Sequence, residues 1–113
     1  MKLIKAYIRH RKVEAVYEAL KEAGFCCMTF VECEGTGQYS DAGKQDISLK
    51  YPYATTYRVI KLELLVSDEY VSKIIGIIRE NGRTGYRGDG MIIISPVENV
   101  FKVRTDEEGI IAI

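Results

Sequence analysis

The chain has 113 residues, a single-domain length, and is 47% hydrophobic and 28% charged, a balance that excludes disorder and points to one globular domain over residues 1–113. Its 16 Lys and Arg balance 16 Asp and Glu, so the formal net charge is zero. That excludes a strongly basic nucleic-acid binder, and weak self-repulsion suits a protein that assembles with itself.

Lys2 to Arg9 alternate loosely around Ile4, Tyr7 and Ile8 and read as a strand. From Lys12 the period lengthens: Val13, Val16, Tyr17 and Leu20 form one stripe of a helix that Gly24 is placed to end. Phe25 to Glu34, rich in Thr, Phe, Val and Cys, reads as a second strand broken by Gly35-Thr36-Gly37. A polar stretch then runs to about Tyr57, and Arg58 to Val66 forms a third strand. Ser67-Asp68-Glu69 supplies a cap and an acidic first turn for a helix striped by Val71, Ile74, Ile75 and Ile78 and stopped by Asn81-Gly82. After a loop from Gly85 to Gly90, Met91 to Ser95 is an apolar run suited to a central strand; Pro96 ends it, and Phe101 to Arg104 reads as a short final strand.

Two strand-helix-strand units of similar length make an internal quasi-repeat. The expected class is α+β, a ferredoxin-like βαββαβ fold with a four-stranded antiparallel sheet and both helices on one face. The other face needs a partner, so homo-oligomerisation is predicted.

Cys26, Cys27 and Cys33 are odd in number and form no C-x-x-C pair, which suits reduced thiols. In a regular second strand Cys26 and Cys27 would point to opposite faces, with at least one in the core, so joint chelation is not expected. His10 is the single histidine and reads as a surface turn residue, and no metal site is expected. Glu32 and Glu34 share a strand face without an acid-base partner, and no nucleophile-base pair stands out, so the chain is not expected to be an enzyme. The opening Met1-Lys2-Leu3-Ile4-Lys5 lacks a signal peptide's apolar core, and no apolar run approaches the ~20 residues of a membrane span. The expectation is a soluble, cytoplasmic protein without membrane insertion.

Two segments carry chemistry. The polar stretch of residues 36–57 is long for an unstructured loop and holds Tyr39, Tyr51, Tyr53 and Tyr57, residues that serve a docking surface or, alternatively, pack a hairpin extension. In Arg83-Thr84-Gly85-Tyr86-Arg87-Gly88-Asp89-Gly90, spaced glycines free backbone N–H groups and arginines add charge, which fits either an anion cradle or a tight turn.

Thr84-Gly85-x-x-Gly88-Asp89-Gly90, an apolar strand, Pro96-Val97 and Lys102-Val103-Arg104-Thr105 together resemble the PII family of signal-transduction proteins. The resemblance extends to the first strand and helix, Gly24, Met28-Thr29, Gly35-x-Gly37 and the terminal Ala112-Ile113. It implies a homotrimer binding an adenine nucleotide (ADP, ATP or AMP) in clefts between subunits, and a long T-loop that docks onto a partner transporter or metabolic enzyme, commonly in nitrogen metabolism. Carried over by position, Thr29 would contact adenine, Gly35, Gly37 and Gln38 would line the ribose and phosphate entrance, and Gly88, Asp89 and Gly90 would form the phosphate turn. Lys102 and Arg104 would reach the phosphates from the adjacent subunit. The chain departs from the pattern at Met91, where a lysine is usual, and at Lys102, where an arginine is usual. The lost cation favours ADP or AMP over tight ATP binding unless Arg87 or Arg58 compensates. Val59 stands where a lysine would hold 2-oxoglutarate, which leaves sensing of that ligand doubtful. The competing readings are a trimeric metal-linked or membrane-transport accessory protein with a vestigial nucleotide site, and a small enzyme such as an acyl- or nucleoside-phosphate hydrolase.

Overall fold

The computed structural model describes residues 1–36 and 56–113. In chain order the regular elements are β1 (Lys2–Arg9), α1 (Val13–Glu22), β2 (Thr29–Thr36), β3 (Thr56–Val66), α2 (Val71–Gly82) and β4 (Met91–Pro96), joined in places by short 3-10 turns. β1 pairs antiparallel with β3, from Lys2 opposite Val66 to Arg9 opposite Val59, and with β4, from Lys2 opposite Pro96 to Tyr7 opposite Met91. β2 joins the outer side of β3, with Thr29 opposite Glu63 and Gly35 opposite Tyr57. The sheet order β2-β3-β1-β4 is the ferredoxin-like α+β arrangement that the quasi-repeat predicts.

Strand alternation sorts the side chains. Ile4, Ala6 and Ile8 of β1 and Leu62 and Leu64 of β3 turn to one face and are buried beneath Val16 and Leu20 of α1 and Ile74 and Ile78 of α2. Each large side chain so buried contributes about 1.5–3 kcal/mol. On the opposite face, register lays out cross-strand rows Val31–Lys61–Tyr7–Met91 and Thr29–Glu63–Lys5–Ile93. Met91 is 62% exposed and Ile93 39%, so this face retains bare apolar surface.

α1 ends in a Schellman arrangement: the Phe25 N–H donates to the Leu20 carbonyl and the Gly24 N–H to the Lys21 carbonyl, both at 3.0 Å. Gly24 sits between them at φ +92°, a conformation that costs glycine little and other residues more. This cap overturns the expectation that the second strand begins at Phe25. The chain folds back at Phe25, whose ring packs edge-on against Tyr70 with centroids 5.7 Å apart, and Cys27 adopts φ 65°, so a regular pleat starts only at Thr29. The left-handed residue also reverses the expected placement of the thiols. Cys26 and Cys27 are both exposed, neither lies in the core, and their Sγ atoms approach to 3.1 Å.

The strand expected at Phe101 to Arg104 reduces to one bridge between Phe101 and Glu108. β4 has ended at Pro96, and the tail pairs with itself: the Lys102 N–H donates to the Glu107 carbonyl at 3.0 Å and the Gly109 N–H to the Val100 carbonyl at 2.8 Å. Gly37, Gln38, Tyr39, Tyr51 and Tyr53 lie outside the described residues, as does the side chain of Tyr57. No helix among the described residues is long and apolar enough to cross a membrane.

Candidate ligand-binding site

Antiparallel register decides which candidate residues share an end of the sheet. Arg9 closes β1, Arg58 and Val59 open β3 beside it, Cys33 to Gly35 lie alongside on β2, and Gly90-Met91 lead into β4 opposite Tyr7. The turn of residues 84–90, Arg58 and Gly35 therefore meet at the Arg9 end. Thr29 lies farther along β2, on the bare face. Lys102 and Arg104 belong to a tail that leaves the sheet at the other end, where the Val97 N–H donates to the Met1 carbonyl at 3.2 Å. At 3.2–3.4 Å per residue, the eight residues of β1 put about 25 Å between those ends.

The turn preceding β4 is organised by Asp89. One carboxylate oxygen accepts from Arg9 Nε at 2.8 Å and from the Thr84 hydroxyl. The other accepts from the backbone N–H groups of Thr84 at 3.0 Å and Gly85 at 2.9 Å. Arg9 Nη2 donates to the Arg87 carbonyl at 2.7 Å, so one guanidinium ties both the acid and the turn's backbone to β1. The Tyr86 N–H donates to Thr84 Oγ1 at 3.1 Å. Burial alone would raise the Asp89 carboxyl, but Arg9, the Thr84 hydroxyl and the two backbone donors hold it well below the usual carboxylate range. Asp89 is therefore an ionised internal brace, whose effect on any ligand would be exerted through the shape of the turn.

Gly90 is required by close approach. It adopts φ +97°, and a Cβ added there would lie 1.8 Å from the Tyr7 carbonyl oxygen. The bare backbone lets the chain come close against Tyr7 of β1 before becoming β4. Beside this crossing lies a cleft of about 380 Å³, bordered by Arg79 and Arg83 at the end of α2 and by Gly90 and Met91. Its size falls within the range of small-molecule sites, and Arg79, Arg83 and Asp89 are its charged lining residues.

A second cleft, of about 420 Å³, lies at the same end on the β2 side and is bordered by His10, Glu32, Cys33, Glu34 and Arg58. His10 Nε2 stands 3.4 Å from Glu32 Oε1. Two strands, β3 and β1, separate β2 from β4, so strand spacing alone puts the two outer strands about 14 Å apart. One chain brings Arg58 to one cleft and Asp89 and Gly90 to the other. Among the described residues, no three or more His, Cys, Asp or Glu side chains gather into a metal-holding group.

Sequence reasoning missed Arg9 and Arg79. Arg79 was detectable in principle, since it falls one turn before Arg83 on α2. Arg9 gives no local signal: its partner Asp89 is 80 residues away, and only the pairing of Tyr7 with Met91 brings them together.

A family model described as nitrogen regulatory protein P-II matches residues 1–107. A protein of Methanothermobacter marburgensis named nitrogen fixation nifHD region GlnB-like protein 1 is 38% identical over 110 residues, spanning 97% of this chain and 100% of that one. Proteins named nitrogen regulatory protein P-II from Rhizobium meliloti and Bradyrhizobium diazoefficiens are 36% and 34% identical over 114 residues, covering both chains in full.

Proposed function

The chain belongs to the nitrogen regulatory protein P-II family, and from that premise we propose that it is a nucleotide-responsive regulator acting in nitrogen metabolism, with no catalytic activity of its own. Its ligand is an adenine nucleotide, ADP, ATP or AMP. The observation that carries this reading is the braced turn of residues 84–90. Asp89 and Arg9 set its shape before any ligand arrives, Gly90 keeps its exit free of side chains, and Arg79 and Arg83 flank the cleft beside it. A preorganised group of donors and cations binds polyphosphate without the cost of ordering a loop.

The full site is formed between subunits of a homotrimer. Lys102 and Arg104 leave their own sheet at the end remote from the turn, so a second copy supplies them to the phosphates. Thr29, Gly35 and Arg58 on the β2 side and Arg87, Gly88, Asp89 and Gly90 on the β4 side, together with Gly37 and Gln38, complete it in the roles the family resemblance implies. The bare face supports assembly: Val31, Met91 and Ile93 expose apolar surface there, and Val103 and Ile111 of the tail are exposed as well. The segment of residues 36–57 acts as the T-loop that docks onto a transporter or metabolic enzyme. The name of the methanogen relative directs attention to the nitrogen-fixation machinery.

Calorimetric titration of the purified protein with ATP, ADP and AMP tests the reading, with 2-oxoglutarate added as a separate arm. Saturable nucleotide binding, weakened by R104A without loss of the fold, is the expected result. No binding at millimolar nucleotide eliminates the proposal. A monomer at micromolar concentration by sedimentation eliminates the shared site.

A further inference from the structure

The connection from α1 to β2 holds a thiol pair that the nucleotide reading does not use. Cys26 and Cys27 are exposed, with their sulfurs 3.1 Å apart. Consecutive side chains in extended backbone point opposite ways. Here Cys27 holds φ 65°, which swings its side chain round toward its neighbour. That left-handed conformation favours glycine or asparagine, so a cysteine at this position runs against the local backbone preference. Free cysteine is also among the most buried residue types. Cys33 follows that tendency in part, being half-buried with its Sγ 3.5 Å from the Val59 carbonyl, whereas Cys26 and Cys27 do not. The Cys27 sulfur pushes the Cys26 thiol above its ordinary value. Protons leave such a pair in two steps, and the intermediate is a thiolate beside a thiol.

We propose that Cys26 and Cys27 form a dithiol modification site that low-molecular-weight disulfides close to a vicinal disulfide, and that closure is transmitted into β2. One cysteine, as thiolate, attacks a sulfur of the small disulfide, forms a mixed disulfide and releases one thiolate. The second cysteine loses its proton and attacks the protein-bound sulfur of that mixed disulfide, which releases the second small thiolate and forms the Cys26–Cys27 bond. Two electrons pass from the protein dithiol to the small disulfide, which leaves as two thiols once its thiolates are protonated, and a dithiol reductant reverses the sequence. Closure shortens the sulfur separation from 3.1 Å to about 2.0 Å. Adjacent Cα atoms stand about 3.8 Å apart across a trans peptide, closer than in most disulfides, so the closed form is strained and readily reduced. It therefore responds to a change of redox poise and does not act as a permanent staple.

The strain has a direct path inward. Met28, the next residue, packs against the core, and Thr29 opens β2 opposite Glu63. Because Thr29 is the proposed adenine contact, the coupling part of this inference rests on the proposed function; the modification itself does not.

The test exposes the full reduced protein to glutathione disulfide and reads mass and disulfide-linked peptides. The expected product has lost two hydrogen masses, carries a Cys26–Cys27 link and returns to the starting mass with dithiothreitol. C26S and C27S stop at the glutathione mixed disulfide on the remaining cysteine and form no link, whereas C33S still closes the Cys26–Cys27 bond. In the parent protein, a persistent glutathione adduct on either cysteine, a link to Cys33, a link between chains or an unreacted dithiol overturns the site. ATP titration of both forms reads the coupling: affinities differing about fivefold or more are expected, the lower end of typical coupling between sites, with no difference in the C26S/C27S double variant treated alike. Equal affinities overturn the coupling. Failure of both forms to bind ATP sinks the nucleotide reading, while the mass and peptide data still decide the dithiol.

Discussion

The two halves of the quasi-repeat each turn from a helix into an outer strand, and they solve that turn with opposite chemistry. After α2, the path to β4 is held by a carboxylate with both oxygens engaged and by a guanidinium reaching across from β1. After α1, the path to β2 is held by a helix cap and a ring contact between Phe25 and Tyr70, which leaves two thiols facing outward. The first connection is shaped by fixed charge and the second by apolar packing. Equivalent places in one architecture can thus be braced by a part-buried ion pair or left with exposed thiols, according to which side chains the connection carries.

Exchanging the backbone demands of the two turns should break this contrast most strongly. Gly90→Ala forces a methyl group into the Tyr7 carbonyl and places alanine at a positive φ. A loss of about 2–4 kcal/mol is expected in urea or guanidinium unfolding. The counterpart in the first half, Cys27→Gly, relieves a left-handed non-glycine residue and should stabilise the protein by about 0.5–1 kcal/mol in the same assay.

Removing the charge from Asp89 ranks next. Asp89→Asn loses the ion pair and forces the backbone donors to share a weaker acceptor, at a cost of about 1–3 kcal/mol, nearer the lower figure because both partners keep about a quarter of their side-chain surface. The pH dependence follows with a definite sign. Folding lowers the Asp89 carboxyl below its unfolded value near 4, so the stabilisation is complete above about pH 4 and is lost progressively as the pH falls from there toward the folded value. Denaturation midpoints between about pH 2 and pH 6 should slope less steeply in Asp89→Asn than in the parent.

Arg9→Lys sharpens the same point at smaller scale. A lysine supplies one ammonium where the guanidinium serves Asp89 and the Arg87 carbonyl together, so about 1 kcal/mol of stability and part of the nucleotide affinity should be lost. The smallest effect belongs to the first half. Cys26→Ser changes an exposed side chain and should leave stability within about 0.5 kcal/mol, while abolishing disulfide closure.

Much of this architecture could be read from the residue order. Val13, Val16, Tyr17 and Leu20 announced α1, and the apolar run at Met91 announced β4, because the first keeps an unbroken helical period and the second an unbroken apolar run. Phe25 to Met28 misled for a physical reason. Their residue types favour strands, but a helix cap and one left-handed residue consume the backbone before a pleat can begin. Phe101 to Arg104 misled because β4 had already ended and the tail found its partner in itself. The turn was visible through its glycines, whose spacing is local. Its brace was not, since the pairing of Arg9 with Asp89 exists only once β1 and β4 are side by side.

The position of β1 also bears on how the molecule is made. Both of its neighbours, β3 and β4, are encoded after residue 55, so β1 leaves the ribosome well before either of its sheet partners. Leu3, Ile4, Ala6 and Ile8 remain uncovered in that interval, and the sheet closes only when the last strand arrives, the pattern of distant contacts that slows folding and invites chaperone binding.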